Sequence, residues 1–320
     1  MRVALALGSG GARGYAHIGA IEVLRERGVE IVSVAGSSMG ALVGGLMAAD
    51  KLDDYTEWSR GLTQFEVLRL LDLSLSAPGA IRAEKIFARV RELLDGALIE
   101  DLPIPYTAVA TDLLARKEVW FQRGPLDVAI RASIAIPSII TPVMLNGRLL
   151  ADGGLMNPVP IAPTAAGQAD AVVAISLNGE PRGTEEAPAR ETAEERPVDE
   201  WLERFRRGAS RLVDGDMVRS LVQRFGGGSV PAEAAVPVVE DIGDDFGVLP
   251  AGLGKFDVMN LALEAMQSVL TRYRFAGYPP DVLISVPKDA CRSLDFHRAA
   301  EVIELGRTLT AEALDRAGLP

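Results

Sequence analysis

Apolar residues fall along this chain in two rhythms. Short, dominantly apolar runs at Arg2–Leu7, Ile31–Val34 and Ala171–Ser176 have the pattern of strands buried on both faces of a parallel sheet. Between them lie segments of helical period. Tyr15–Arg27 carries Ile18, Ile21 and Leu24 on one face, and Ala41–Ala49 is apolar all round, as a buried helix is. Asp50–Leu75 reads as one amphipathic helix, with Tyr55, Trp58, Leu62, Phe65 and Leu68. Ser76-Ala77-Pro78-Gly79 then turns the chain into a helix over Arg82–Leu94, which carries Ile86, Phe87, Val90 and Leu93. Further strands are expected at Tyr106–Ala110, Glu118–Phe121, Leu149–Ala151 and Asp281–Pro287. Helices are expected at Leu126–Ile136, ended by Pro137, and at Phe256–Tyr273 and Phe296–Leu314. Asn146-Gly147 is a hairpin turn signal. Strands alternating with helices predict an α/β fold.

The rhythm breaks once. Asn178–Asp199 is rich in Glu, Arg, Pro and Thr and almost free of apolar residues, as a linker is. Trp201–Phe225 returns to helical period, with arginines at Arg204, Arg206, Arg207, Arg211, Arg219 and Arg224. Such a helix packs on its own domain, touches a lipid surface or acts as a lid. Gly226–Leu253 is again loop-like. The expected organisation is one domain with a core of 2–178 and 255–315 and an insertion at 179–254.

Three stretches carry candidate chemistry. Gly36-Ser37-Ser38-Met39-Gly40 lies between a predicted strand and the apolar helix 41–49, the setting of a nucleophile elbow. Gly36 and Gly40 flank a turn too tight for a Cβ, and the helix N-terminus favours negative charge developing near Ser38. Gly8-Ser9-Gly10-Gly11-Ala12-Arg13-Gly14 follows the first strand. It is no dinucleotide fingerprint, since Arg13 stands where a third glycine is needed, and no Walker lysine is present. Its backbone N–H groups instead suit an oxyanion, with Arg13 bracing the loop or meeting an anionic head group. Asp152, followed by Gly153 and Gly154, ends a strand in an open turn, as a catalytic carboxylate or an Asx-turn residue would.

Composition removes other classes. The 320 residues have a net charge of −11, which argues against nucleic acid as a partner. A single cysteine, Cys291, and two histidines, His17 and His297, make a zinc site a poor reading. One cysteine also excludes an internal disulfide and fits a reducing, cytoplasmic compartment. No run reaches the roughly 20 apolar residues of a membrane span, and no secretory signal is read at the start.

The stretch Leu5–Gly14, the Gly36-x-Ser38-x-Gly40 turn and Asp152-Gly153-Gly154 together resemble the patatin-like phospholipases, most of all their compact bacterial members. The resemblance implies a three-layer α/β/α fold with a mainly parallel central sheet and the elbow after the second strand. It implies Ser38 and Asp152 as a catalytic dyad, and Gly10, Gly11, Ala12, Arg13 and Gly14 as the oxyanion hole. It further implies a lipid ester substrate, which a membrane surface can present, with no cofactor and no metal. Ser9 departs from the glycine common at that position. Two other readings stand beside it. Ser38, Asp152 and His297 occur in the chain order of a Ser-His-Asp α/β-hydrolase, although His297 falls at a predicted helix start. The same fold could also serve as a non-enzymatic adaptor, with 179–254 as the partner surface.

Overall fold

The computed structural model describes residues 1–71, 83–137, 139–165, 167–180 and 255–320. The chain divides into two units, Met1–Arg182 with Gly254–Pro320, and Gly183–Leu253. Only the first is described below. The expected turn at 76–79 and the amphipathic segment 201–225 lie outside the described residues.

In chain order come β1 (Arg2–Leu7), a 3-10 turn (Gly11–Tyr15), α1 (Ala16–Glu26), β2 (Glu30–Ser37) and α2 (Met39–Ala48). Then follow α3 (Leu52–Arg60), α4 (Gln64–Leu71), α5 (Glu84–Leu94), β3 (Tyr106–Asp112), β4 (Lys117–Phe121) and α6 (Leu126–Ser133). The chain continues through β5 (Val143–Leu145), β6 (Arg148–Asp152), β7 (Ala171–Gly179), α7 (Lys255–Gly277), β8 (Val282–Pro287) and α8 (Ala299–Ala317). The fold is α/β: a mixed eight-stranded sheet in the order β5-β6-β3-β2-β1-β7-β8, with β4 paired to β3 off this path. The pairs β1–β2, β1–β7, β2–β3 and β7–β8 are parallel.

Side-chain alternation assigns the two faces. Leu5, Leu7, Val173 and Ile175 join Ile18, Ile21 and Leu24 of α1, Leu42 and Leu46 of α2, and Val302 and Ile303 of α8 in the main core. Ala6 and Ala174 point the other way and meet Val159, Ile161 and Phe275 of α7. Small residues on that face let the segment after β6 lie close to the sheet.

The single helix expected over Asp50–Leu75 is two, α3 and α4. The break has a local cause: Thr63 and Glu66 form a capping box. The Thr63 N–H donates to Glu66 Oε2 at 2.8 Å, and the Glu66 N–H donates to Thr63 Oγ1 at 3.3 Å. The hairpin signal falls where expected: Asn146 and Gly147 both take positive φ, 48° and 75°, joining β5 to β6.

Strand register holds the key to the site. Ala108 pairs with Gly36 of β2 and with Phe121 of β4, so those strands lie on opposite edges of β3. Ala110 pairs with Val119 of β4 and with Asp152 of β6. Hence β2 and β6 share one edge of β3. Parallel β2 covers Tyr106–Val109 and antiparallel β6 covers Ala110–Asp112. Their C-terminal ends meet head-on, with Ser37 opposite Val109 and Asp152 opposite the next residue along.

Candidate active site

Ser38 occupies the turn between β2 and α2 with φ 56° and ψ −121°. A non-glycine residue at positive φ is held there only by its surroundings. The neighbouring glycines show how tight the turn is. A Cβ on Gly36 would strike the Gly40 carbonyl, and one on Gly40 would strike that of Leu7. The Ser38 N–H donates to Ser133 Oγ at 2.9 Å, and Ser133 Oγ donates to the Val109 carbonyl at 2.6 Å. Thus the end of α6 clamps the turn to β3.

Asp152 is fixed on three sides. Its N–H donates to the Ala135 carbonyl at 2.9 Å, its carbonyl accepts from Thr111 Oγ1 at 2.9 Å, and Oδ1 accepts the Gly154 N–H at 2.7 Å. Ser38 and Asp152 are 2% and 4% exposed. Burial pushes the Asp152 carboxyl up to about 6, against the smaller opposing pulls of the Ser38 hydroxyl and the Gly154 N–H. Oδ2 nevertheless has no hydrogen-bond partner of standard geometry among the described residues. Ser38 follows Ser37, whose partner Val109 adjoins Ala110, the partner of Asp152, so the serine and the carboxyl stand side by side with no closed hydrogen bond between them among the described residues.

The glycine loop packs tightly, Gly10 on Leu177, Gly11 on Ser293 and Gly14 on Met39. The N–H groups of Gly8, Ser9 and Ala12 are spent on the carbonyls of Ile175, Pro158 and Ser293. Gly10 and Gly11 keep N–H groups without a partner among the described residues, as does Met39 at the start of α2. Buried Arg13 donates from Nε to the Gly10 carbonyl at 3.2 Å, and from its two terminal nitrogens to the Lys288 carbonyl and Glu264 Oε1. Because a trans peptide points its C=O and N–H in opposite directions, this grip also aims the Gly11 N–H.

His17 is wholly buried and bonded through Nε2 to the Gly8 carbonyl at 2.8 Å. A carbonyl only accepts, so Nε2 carries the proton. Burial lowers its pKa to about 4, so the ring is neutral at pH 7 and braces the loop. His297 lies on a 3-10 turn packed against α3 and α4. Among the described residues no hydrogen bond joins it to Ser38 or Asp152.

Sequence reasoning passed over Ser133, Asn157 and the Met39 N–H. Ser133 had a signal: it falls on the buried face of α6, in line with Leu126 and Ile130, where a polar residue needs a partner. Asn157 had none. Its carbonyl accepts from Ser37 Oγ at 2.7 Å and its Nδ2 donates to Glu118 Oε2 at 2.9 Å, both contacts far away in sequence. Among the described residues no cluster of His, Cys, Asp or Glu could hold a metal, and no helix is long and apolar enough to cross a membrane.

An α/β sheet with a serine at a strand-to-helix turn and a buried carboxylate beside it defines a class, and comparison with known proteins gives the family. Residues 5–165 match the family model described as patatin-like phospholipase. An uncharacterized NTE family protein of Mycobacterium tuberculosis is 52% identical over 335 residues, covering 98% of this chain and 91% of that protein. The neuropathy target esterase sws of Drosophila sechellia is 33% identical over 165 residues, which are 49% of this chain and 11% of that one. The crystal structure of VipD from Legionella pneumophila aligns with a TM-score of 0.49 at 16% identity, over 99% of this chain and 67% of that chain. The chain belongs to the patatin-like phospholipase family, which at the level of the family means lipid acyl hydrolases.

Proposed function

We propose that this protein is a serine lipid acyl hydrolase that cleaves carboxylic esters through an acyl-enzyme on Ser38, with Asp152 as the base. The observation that carries the reading is the head-on meeting of β2 and β6 along β3, which brings Ser38 beside Asp152. Asp152 accepts the Ser38 proton as Oγ attacks the ester carbonyl carbon. The oxyanion is held by N–H groups at Gly10, Gly11 and Met39. Collapse of the tetrahedral species breaks the ester bond, and the leaving alcohol takes the proton from Asp152. Water then attacks the acyl carbonyl, Asp152 receives its proton and returns it to Ser38 Oγ as the carboxylic acid departs.

A carboxyl near 6 supports this role. It is a stronger base than an ordinary aspartate and is still mostly ionised at neutral pH. The core 2–178 and 255–315 acts as the catalytic domain, with lipid ester as the partner and a cytoplasmic, membrane-peripheral setting. The apolar side chains Met259, Met266, Val269 and Tyr273, exposed along α7, fit contact with such a substrate.

Labelling with a fluorophosphonate, together with turnover of a panel of phospholipid, lysophospholipid and p-nitrophenyl esters, tests the reading. Wild type should be labelled and active, S38A neither, and D152N slower by at least ~10³-fold. The acid limb of kcat/KM should have its midpoint near pH 6. H297A should keep most of the turnover, and its collapse would favour a Ser-His-Asp enzyme. An unlabelled Ser38 with every ester intact would leave the adaptor reading.

A further inference from the structure

Ser9 is a buried serine whose hydroxyl has no partner among the described residues. Its N–H is already bonded to the Pro158 carbonyl, so the backbone is in place and only the side chain is unused. A buried hydroxyl left unbonded is destabilising, so a partner is expected. What lies beside it is informative. A Cβ built on Gly154 would stand 2.9 Å from Asp152 Oδ1 and closer still to Ser9 Oγ. Both oxygens therefore lie beside the place a Gly154 Cβ would take, and among the described residues no direct bond joins them. A water bonded at about 2.8 Å to each of two oxygens bridges a gap of up to twice that length. Among the described residues Oδ1 has a single donor, the Gly154 N–H, although a carboxylate oxygen accepts two.

We propose that Ser9 is a positioning residue for Asp152: its hydroxyl holds one buried water against Oδ1, and glycine at position 154, where a Cβ would strike both oxygens, lets the two side chains come within reach of that bridge. The inference rests on the acyl-hydrolase reading above. Ser9 makes and breaks no covalent bond. The bridge holds the carboxylate in one orientation beside Ser38, and it stabilises the ionised form that burial opposes. Other ionisable groups do not share this task. Asp112 on β3, Arg131 on α6, Arg148 on β6 and Arg13 on the glycine loop belong to the segments packed around Asp152, and none is among the groups that shift its titration.

The experiment compares wild type, S9A and S9T with a p-nitrophenyl acyl ester over roughly pH 5–9. S9A should lose about three- to tenfold in kcat near pH 6.5 with KM unchanged, and its acid limb should move up by about half to one unit. The direction follows because losing a donor to the charged form raises a carboxyl pKa. S9T, which keeps the hydroxyl, should return both values toward wild type. In parallel, infrared titration of the carboxyl band that D152N removes, recorded on S38A with and without S9A, should show the same upward shift without needing turnover. Superimposable pH profiles and band titrations, with only the melting temperature altered, would overturn the proposal and leave Ser9 a packing residue. Should S9A fail to fold, S9G takes its place in both measurements. If wild type shows no Ser38-dependent turnover, the acyl-hydrolase reading falls, while the infrared titration still decides whether Ser9 acts on Asp152.

Discussion

Asp152 sits where its charge is costly, and that cost is measurable apart from catalysis. Its carboxyl is raised from an ordinary 3.8 to about 6, so between those values the folded state binds more protons than the unfolded one. Stability contributed by the protonated form is present below 3.8 and is lost as pH rises through 6. D152N removes the charge and keeps the shape. It should be more stable than wild type at pH 7–8 by about 1–3 kcal/mol, a gap that closes as the pH falls to the ordinary carboxyl value. Urea midpoints across that range check it; a less stable D152N at pH 8 would mean that the ionised carboxylate is well solvated by its partners. Ser38 and Asp152 were legible in the sequence because each stands in a short pattern of glycines with its own turn chemistry. Ser133 shows in the sequence only as a polar residue on a buried helix face, and Asn157 and the Met39 N–H not at all, because what they do depends on groups distant in the chain.

At the scale of elements, helix contacts turn on small residues. A Cβ on Gly19 of α1 would collide with the Ile303 carbonyl of α8, and one on Gly306 of α8 with the Ala16 carbonyl of α1. Backbone cannot yield as a side-chain tip can. G19A and G306A should each cost at least ~2 kcal/mol, read as a lowered denaturant midpoint, and the double variant should cost less than the two together since one separation of the helices relieves both clashes. The Thr63–Glu66 capping box is a second local device, and T63A should lower the melting temperature through a loss of about 1 kcal/mol. That box was readable, yet the continuous apolar face of Asp50–Leu75 masked it. Periodicity reports which side of a segment is buried, and it stays in phase across a break when both pieces pack on the same surface.

For the whole molecule, His17 and Asp152 pull the pH dependence of stability in opposite directions. His17 is lowered from 6.5 to about 4, so the unfolded state binds its proton more readily and stability is lost as pH falls from 6.5 through 4. Over much of the same interval Asp152 gains. In wild type the two largely offset each other. D152N should expose the His17 term and lose stability more steeply between about pH 6.5 and 4 than wild type does. Parallel melting curves of the two proteins down that range would contradict it.

Local order was written in the chain itself: the alternation of strands and helices, the tight turn at Ser38, the Asn146-Gly147 hairpin and the carboxylate at a strand end. Each follows from side-chain period or from the conformations that glycine and asparagine tolerate, and these act over a few residues. Which strand lies beside which is another matter. Nothing near Asp152 in the sequence announces that β6 would continue the line of β2 along one edge of β3, more than a hundred residues from Ser38. Strand pairing is settled by the joint burial of faces from distant segments. The side-by-side placement of serine and carboxyl, the orphaned Oδ2 and the orphaned Ser9 hydroxyl therefore came into view only once the chain had folded.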